Sequence, residues 1–190
     1  FELKDGPNAP TTLHLMVEAM KRAYADRAEF FGDPAFVKVP LDRLISKDYA
    51  ARVRAGIDTT KTTPSSAIKA GVTPKQEGDN TTHFSVLDRY GNAVAATVTL
   101  NLNFGLGLVA EGTGVLLNNE LDDFALASGV PNAYGLIGGA ANAPGPNKKP
   151  LSSMSPTIVL KDGKVFLVTG SPGGSTIITT VLRVVTGVID

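Results

Sequence analysis

The sequence predicts an α+β chain, on three observations: a helical repeat of apolar residues near the start, two strand-turn-strand signatures in the second half, and an apolar helical run at the end. From Thr11 to Phe31, the residues Leu13, Met16, Val17, Met20 and Tyr24 recur at helical spacing after Pro10-Thr11-Thr12. That pattern predicts a capped amphipathic helix whose apolar side packs into a core. A shorter helix is expected after Ser46, carrying Tyr49, Val53 and Ile57 and ended by Asp58 and the threonines behind it. Residues 58–80 are rich in Thr, Ser, Pro, Lys and Gly with little periodicity. So long a structureless stretch fits a processing linker, while an ordinary surface loop has the same composition.

The pattern then turns to strands. Thr81 to Asp88 and Ala93 to Leu100 flank a turn at Arg89-Tyr90-Gly91-Asn92. With Asp88 facing Ala93, Thr81 falls opposite Leu100 and within one step of Thr99 and Asn101. After a glycine-rich stretch, Val115 to Leu117 reads as a short strand leading into the polar cluster Asn118 to Phe124, which suits either a pocket lining or a hydrated turn. Residues 128–150, rich in Gly, Ala, Asn and Pro, read as an ordered or lid-like loop. A second hairpin, Thr157 to Leu160 with Val165 to Thr169, turns at Asp162-Gly163. It runs into Gly170-Ser171-Pro172-Gly173-Gly174-Ser175 and a helical run from Ile177 to Ile189. A glycine loop between a strand and a helix exposes N–H groups that hold an anion, phosphate or oxyanion, although a plain tight turn has the same pattern.

Composition narrows the functions. With 190 residues, 43% of them hydrophobic, the chain has material for a real core, as one globular domain or a large piece of one. Eighteen basic residues balance eighteen acidic ones, which argues against nucleic acid or an anionic membrane as the main partner. No apolar run approaches the roughly 20 residues of a membrane helix. Cysteine is absent and only His14 and His83 are present, so neither a thiolate nor a histidine-rich metal site is expected, and no cofactor is implied. The start at Phe1 without methionine and the stop at Asp190 straight after an apolar helical pattern suggest an internal fragment of a longer protein.

Chemistry concentrates at Asn80-Thr81-Thr82-His83. A threonine hydroxyl within a chain is a poor nucleophile. Once the preceding peptide bond is cut, the freed α-amine sits beside the hydroxyl and takes its proton. That amine titrates at about 7.7–8.0, so it needs no histidine partner. Asn80-Thr81 is therefore a candidate self-cleavage site. His83 invites a Ser-His-Asp analogy, but strand alternation and the adequacy of the amine favour a structural role.

Four motifs in order resemble the γ-glutamyltransferase (γ-glutamyltranspeptidase) family: Thr81 to Ser85, Leu116 to Phe124, Pro150 to Thr157 and Gly170 to Ser175. Ala23-Tyr24-Ala25-Asp26-Arg27 and Phe31-Gly32-Asp33-Pro34 are similar to the end of its large subunit, so the resemblance covers nearly the whole chain. It implies part of the αββα four-layer sandwich of the N-terminal-nucleophile hydrolases, with residues 1–80 from the large subunit and 81–190 from the small, together a fragment of one domain. The precursor would cut itself at Asn80-Thr81 into a heterodimer. Thr81 would then take the γ-glutamyl group of glutathione or a related amide and pass it to water or an amine.

Further roles follow from the resemblance. Thr99 supports Thr81; Asn101, Glu120 and Asp123 hold the substrate's α-ammonium; Ser152 and Ser153 donate to its carboxylate. Gly173 and Gly174 form the oxyanion hole, and Tyr134 is a lid residue bonding to Asn101. Position 120 is Gln in some relatives, and the family's carboxylate-binding arginine lies upstream of this chain, so the chain alone is not expected to turn over substrate. A periplasmic or extracellular location is implied. Rival readings are an acylase or capsule-polymer transferase of the same fold, a noncatalytic or unprocessed form, and a phosphate-binding module built on residues 170–175, which lacks a lysine.

Overall fold

The structure is a computed structural model that describes residues 1, 5–68, 81–127 and 129–189. Asn80 and much of the expected linker lie outside the described residues. The chain forms two compact units, one from residues 1–68 and 123–151, the other from residues 81–122 and 152–189.

The first unit is helical with long ordered loops. Helix α1 spans Pro10–Phe30, with proline in the first turn, where its missing N–H costs nothing. The expected side-chain cap is not formed: Ala9 occupies the cap position, and the Thr11 hydroxyl donates instead to Asp5, 2.7 Å away. Of the helical apolar residues, Met16 is buried, whereas Val17 is 44% exposed. A short helix α2, Leu41–Leu44, was not foreseen. It precedes α3, Lys47–Ala55, which starts after Ser46 as the sequence predicts and whose first turn is capped by the Ser46 hydroxyl, accepting from the Tyr49 N–H at 3.1 Å. Ile57 is buried but lies beyond the helix, which ends at Gly56 rather than at Asp58. The Tyr49 hydroxyl bonds both carboxylate oxygens of Asp26 at 2.9 and 2.8 Å, tying α3 to α1.

Residues 129–150 form a loop bonded to the end of α1. Gly139 N–H donates to Ala28 C=O at 2.8 Å, and Gly32 lies so near the Ala141 carbonyl that a Cβ there would overlap it. Asp33 accepts from the N–H groups of Ala35 at 3.0 Å and Lys149 at 2.8 Å. The Lys149 and Ala35 bonds hold its carboxyl below the usual carboxylate range.

The second unit carries the sheets. Strand β1, Thr81–Leu87, pairs antiparallel with β2, Ala93–Thr99; β3, Thr157–Lys161, pairs with β4, Lys164–Thr169. The first hairpin departs from the expected register by one residue: Leu87 faces Ala93 and Thr81 faces Thr99, not Leu100. Asp88 is the reason. Its backbone N–H bonds Asn92 C=O at 3.0 Å, and its carboxylate accepts from the N–H groups of Tyr90 at 2.8 Å and Asn92 at 2.9 Å. Gly91, at φ +88°, closes the loop in the left-handed region. The second hairpin turns at Asp162-Gly163 with φ of 51° and 74°, the geometry an Asp-Gly hairpin requires. The strand expected at 115–117 is reduced to an isolated bridge between Val109 and Leu116, because the surrounding glycines break the ladder. Helix α4 spans Ile177–Ile189 behind a 3-10 turn, Gly174–Thr176. Among the described residues, no helix is long and apolar enough to cross a membrane.

One buried charge organises the first unit. Glu18, with 0% exposure, is a carboxylate inside the protein, which is costly unless it is fully bonded. It pairs with Lys21 at 2.7 Å and Arg22 at 2.8 Å and accepts from the Thr63 N–H at 3.2 Å. Lys21 also donates to Thr63 C=O at 2.9 Å and Arg22 to the Thr63 hydroxyl at 3.2 Å. Burial pushes the Glu18 carboxyl up, but these bonds outweigh it and hold the group at about 2, against an ordinary 4.5. A depressed carboxyl contributes stability above its unfolded value and loses it as pH falls through the folded one. Glu18→Gln should therefore lower the melting temperature of the full-length protein at pH 7, with the gap to wild type closing between pH 4.5 and about 2. Thermal melts across that range test it, and a gap independent of pH would contradict the assignment.

Candidate active site

The two hairpins of the second unit bring their open ends together. Ser85 Oγ donates to Val168 C=O at 3.3 Å, and the His83 ring lies against Gly170, so β1 and β4 contact each other in opposite directions. The start of β1 is thus at the same end as the exit of β4. Pairing puts the exit of β2, at Thr99, and the entry of β3, at Thr157, at that end as well. Thr81 and Thr99 are two of these strand ends; Asn101 follows β2 by two residues, Ser153 precedes β3 by four and Gly173 follows β4 by four.

Thr81 and Thr99 are direct cross-strand partners, so their side chains stand on one face with Cβ atoms about 4.5–5.5 Å apart. His83 and Thr97 follow on the same face, two residues along each strand. His83 Nδ1 lies 2.8 Å from the Thr97 hydroxyl and Nε2 lies 3.1 Å from Ser85 Oγ. Since the Ser85 hydroxyl gives its proton to Val168, it accepts from Nε2–H, and Thr97 donates to Nδ1. Both ring nitrogens are therefore engaged along the strands.

Beyond β2 the chain turns sharply. Asn101 has φ 73°, a left-handed conformation asparagine tolerates better than most residues, and it is 2% exposed. Its N–H donates to the Thr99 hydroxyl at 2.9 Å and its Nδ2 to Asn119 C=O at 3.1 Å. Asn119 also donates its N–H to Leu100 C=O at 3.1 Å and accepts from Leu102 N–H through Oδ1 at 3.0 Å. Asn119 is a residue that sequence reasoning grouped in the polar cluster without assigning it a role. Its neighbour Asn118 makes the local turn instead, accepting from Glu120 N–H at 3.0 Å and opening the 3-10 turn Glu120–Asp123. The turn reading of the cluster is realised at Asn118, whereas Asn119 ties the cluster to the chain leaving β2.

The remaining sequence-predicted residues precede β3 or follow β4. Ser152 is exposed and its hydroxyl accepts from Met154 N–H at 3.1 Å, while Ser153 is half-buried. Gly173, at φ 125°, and Gly174, at φ 53°, adopt backbone that L side chains rarely take. The Gly173 carbonyl accepts from the Thr176 N–H at 3.0 Å and hydroxyl at 2.8 Å, fixing the loop onto the turn before α4. Leading amides of a helix have no acceptor inside it, and the helix dipole adds positive potential there, so the loop suits a developing oxyanion. Asp123 and Tyr134 belong to the first unit. Asp123 is half-buried with its carbonyl bonded to Asn142 Nδ2 at 2.7 Å; Tyr134 is buried in a turn closed by Asn132, whose Oδ1 accepts its N–H at 3.0 Å.

Comparison with known proteins gives a consistent set of likenesses. The family model described as Gamma-glutamyltranspeptidase matches residues 1–190. The Glutathione hydrolase proenzyme of Escherichia coli (strain K12) is 58% identical over 191 residues, which is 100% of this chain and 33% of that protein. The Acylase ACY 1 proenzyme of Pseudomonas sp. (strain SE83) is 37% identical over 97% of this chain and 31% of its own length. Among solved structures, a mutant of Helicobacter pylori gamma-glutamyltranspeptidase superimposes with a TM-score of 0.56 and 64% identity, covering 57% of this chain and 59% of that one. The chain spans about a third of the length of the curated relatives it matches.

Gly170 has no room for a side chain, because a Cβ would overlap the His83 ring. Gly170→Ala should cost about 1–3 kcal/mol by overpacking. Removing the ring in Gly170→Ala/His83→Ala should return part of that loss. A double-mutant cycle by denaturant unfolding measures the coupling, and strictly additive effects would show that the two residues do not share this contact.

Proposed function

The chain belongs to the gamma-glutamyltranspeptidase family, and from that premise we propose that the whole protein is a self-processing γ-glutamyl transferase and hydrolase acting through Thr81. The observation that carries this reading is the Thr81–Thr99 cross-strand pair, which stands at the hairpin end where β4 exits toward the Gly173-Gly174 loop. The relatives named as glutathione hydrolase proenzymes support glutathione as a donor and a precursor that matures by cutting.

In this mechanism Thr81 Oγ first attacks the Asn80 carbonyl carbon, the C–N bond breaks to free the Thr81 amine and leave an ester on Oγ, and water hydrolyses that ester to the Asn80 carboxylate and the free hydroxyl, leaving residues 1–80 in the large subunit and 81–190 in the small subunit of a heterodimer. The freed Thr81 amine accepts the proton of its own hydroxyl as Oγ attacks the γ-carbonyl carbon of the donor. The carbonyl oxygen becomes an oxyanion stabilised by the Gly173 and Gly174 N–H groups. Collapse expels the leaving amine, which takes the proton back from the Thr81 ammonium, and leaves a γ-glutamyl ester on Oγ. Water or an amino-acid amine then attacks the ester by the same proton route. Thr99 holds the hydroxyl of Thr81 in line.

The head group of the donor accounts for the remaining polar residues. Glu120 and Asp123 supply negative charge for an α-ammonium, with Asn101 as a further hydrogen-bond partner. Ser152 and Ser153 donate to the α-carboxylate, whose arginine partner lies in the rest of the large subunit, and Tyr134 covers the site as a lid. The complete protein adopts the αββα sandwich of N-terminal-nucleophile hydrolases, acts without a cofactor, and works in the periplasm or outside the cell. A second reading, an acylase of the same family, is favoured by one likeness, the 37% identity to the Acylase ACY 1 proenzyme.

Full-length Thr81→Ala should remain a single uncut chain, and Thr81→Ser should retain part of the cutting. Electrophoresis with N-terminal sequencing of the small subunit reads both results, and cleavage at the same bond in Thr81→Ala would remove Thr81 from the role. The mature enzyme should hydrolyse a γ-glutamyl anilide in preference to a glutaryl anilide; the reverse preference would select the acylase reading.

A further inference from the structure

Asn142 is a buried polar residue in the first unit that the mechanism above does not use, and it is only 5% exposed. A buried amide is costly unless it is bonded, and this one is bonded on both sides. Its Nδ2 donates to Asp123 C=O at 2.7 Å, and its Oδ1 accepts from Leu151 N–H at 3.1 Å. Its own carbonyl accepts from Ala125 N–H at 2.9 Å, so Asp123, Phe124 and Ala125 are gripped at two points. Phe124, between them, is 4% exposed. Leu151, on the other side of the amide, is the residue before Ser152.

Arg27 of α1 shares a concave surface with Asp123 and Asn142. Burial pulls the Arg27 guanidinium down, while the Asp123 carboxylate favours its charged form. The Arg27 guanidinium thus faces the same concave surface as Asp123, and the Asn142 grip fixes the backbone that carries that carboxylate.

We propose that Asn142 is a positioning residue for Asp123, acting with Arg27 to hold that carboxylate in one orientation so that it selects donors bearing an α-ammonium group. The inference rests on the γ-glutamyl reading above and deepens it: it makes head-group discrimination depend on a bond to the backbone of Asp123 from a residue that does not itself touch the substrate. A staple that only kept the loop folded would affect all donors alike. A positioning residue affects those whose ammonium reaches Asp123.

The test uses the processed full-length enzyme, wild type against Asn142→Ala and Asn142→Asp; the aspartate keeps the acceptor for Leu151 but loses the donor to Asp123. Losing one buried hydrogen-bond partner corresponds to about a tenfold effect. For a γ-glutamyl anilide, KM should rise about tenfold with kcat changed less than about threefold, and inhibition by L-glutamate should weaken in parallel. For a glutaryl anilide, which has no α-amine, kcat/KM should change less than about twofold. Equal losses on both donors, or an unchanged γ-glutamyl KM, would overturn the proposal. Should both Asn142 variants stay uncut, Arg27→Lys carries the same readout: a KM-led loss confined to the γ-glutamyl donor supports the proposal and any other split overturns it. A wild-type enzyme that prefers the glutaryl donor would overturn the γ-glutamyl reading itself, a result visible before any variant is compared.

Discussion

The pairing of Thr81 with Thr99 is the constraint on which the rest of the site depends. Side chains alternate along a strand, so a slip of one residue would move Thr99 to the opposite face and leave Thr81 beside Val98 or Leu100. The register is decided at the other end of the hairpin. There Asp88 binds Tyr90 and Asn92 through its carboxylate and Asn92 through its N–H. The Asn92 side chain, which donates to Asp88 at 2.7 Å, contributes most to holding that carboxyl below the usual range. A turn that makes no contact with the candidate nucleophile therefore determines which side chain stands next to it.

A second consequence of that register is the row of polar groups on one face. Thr97, His83 and Ser85 form a continuous hydrogen-bonded line ending on the Val168 carbonyl of the other hairpin. Such a line fixes how β1 meets β4, and Gly170 permits the meeting by having no side chain. The opposite face of the first hairpin is apolar and exposed at Phe84, Val86, Val94 and Val98. A contiguous apolar surface of that kind ordinarily lies against another part of a protein, and this chain spans only a third of the length of its relatives.

Much of this was legible in the sequence, and the misses have physical causes. Helices α1, α3 and α4 and both hairpins follow from periodicity and turn chemistry, and the Asp162-Gly163 turn forms where it was expected. The register miss came from counting Asp88 as a strand residue when its carboxylate makes it the first residue of the loop. The strand expected at 115–117 failed because apolar content is not enough when glycines at positive φ surround it. The α1 cap failed because the threonines lie inside the first turn rather than before it. Asn119 and Asn142 were missed for a different reason. Their partners lie far away in sequence, as with Leu151 N–H on Asn142 and Leu102 N–H on Asn119, and no local pattern marks an asparagine that bonds at long range.

The placement of Thr81 as the first residue of β1 bears on how a chain survives being cut there. Breaking the bond before Thr81 removes no residue from the ladder, since every pairing from Thr81–Thr99 to Leu87–Ala93 lies on its C-terminal side. On the N-terminal side, the chain is already held at Thr63, whose N–H, carbonyl and hydroxyl are all bonded by Glu18, Lys21 and Arg22 of α1. Each side of the proposed scissile bond is thus anchored by contacts that do not need the bond. The buried Glu18 then has a purpose beyond packing. An apolar residue there would leave the Thr63 N–H without its acceptor and Lys21 and Arg22 without their carboxylate, whereas Glu18 with those two cations one turn on grips Thr63 through all three of its polar groups.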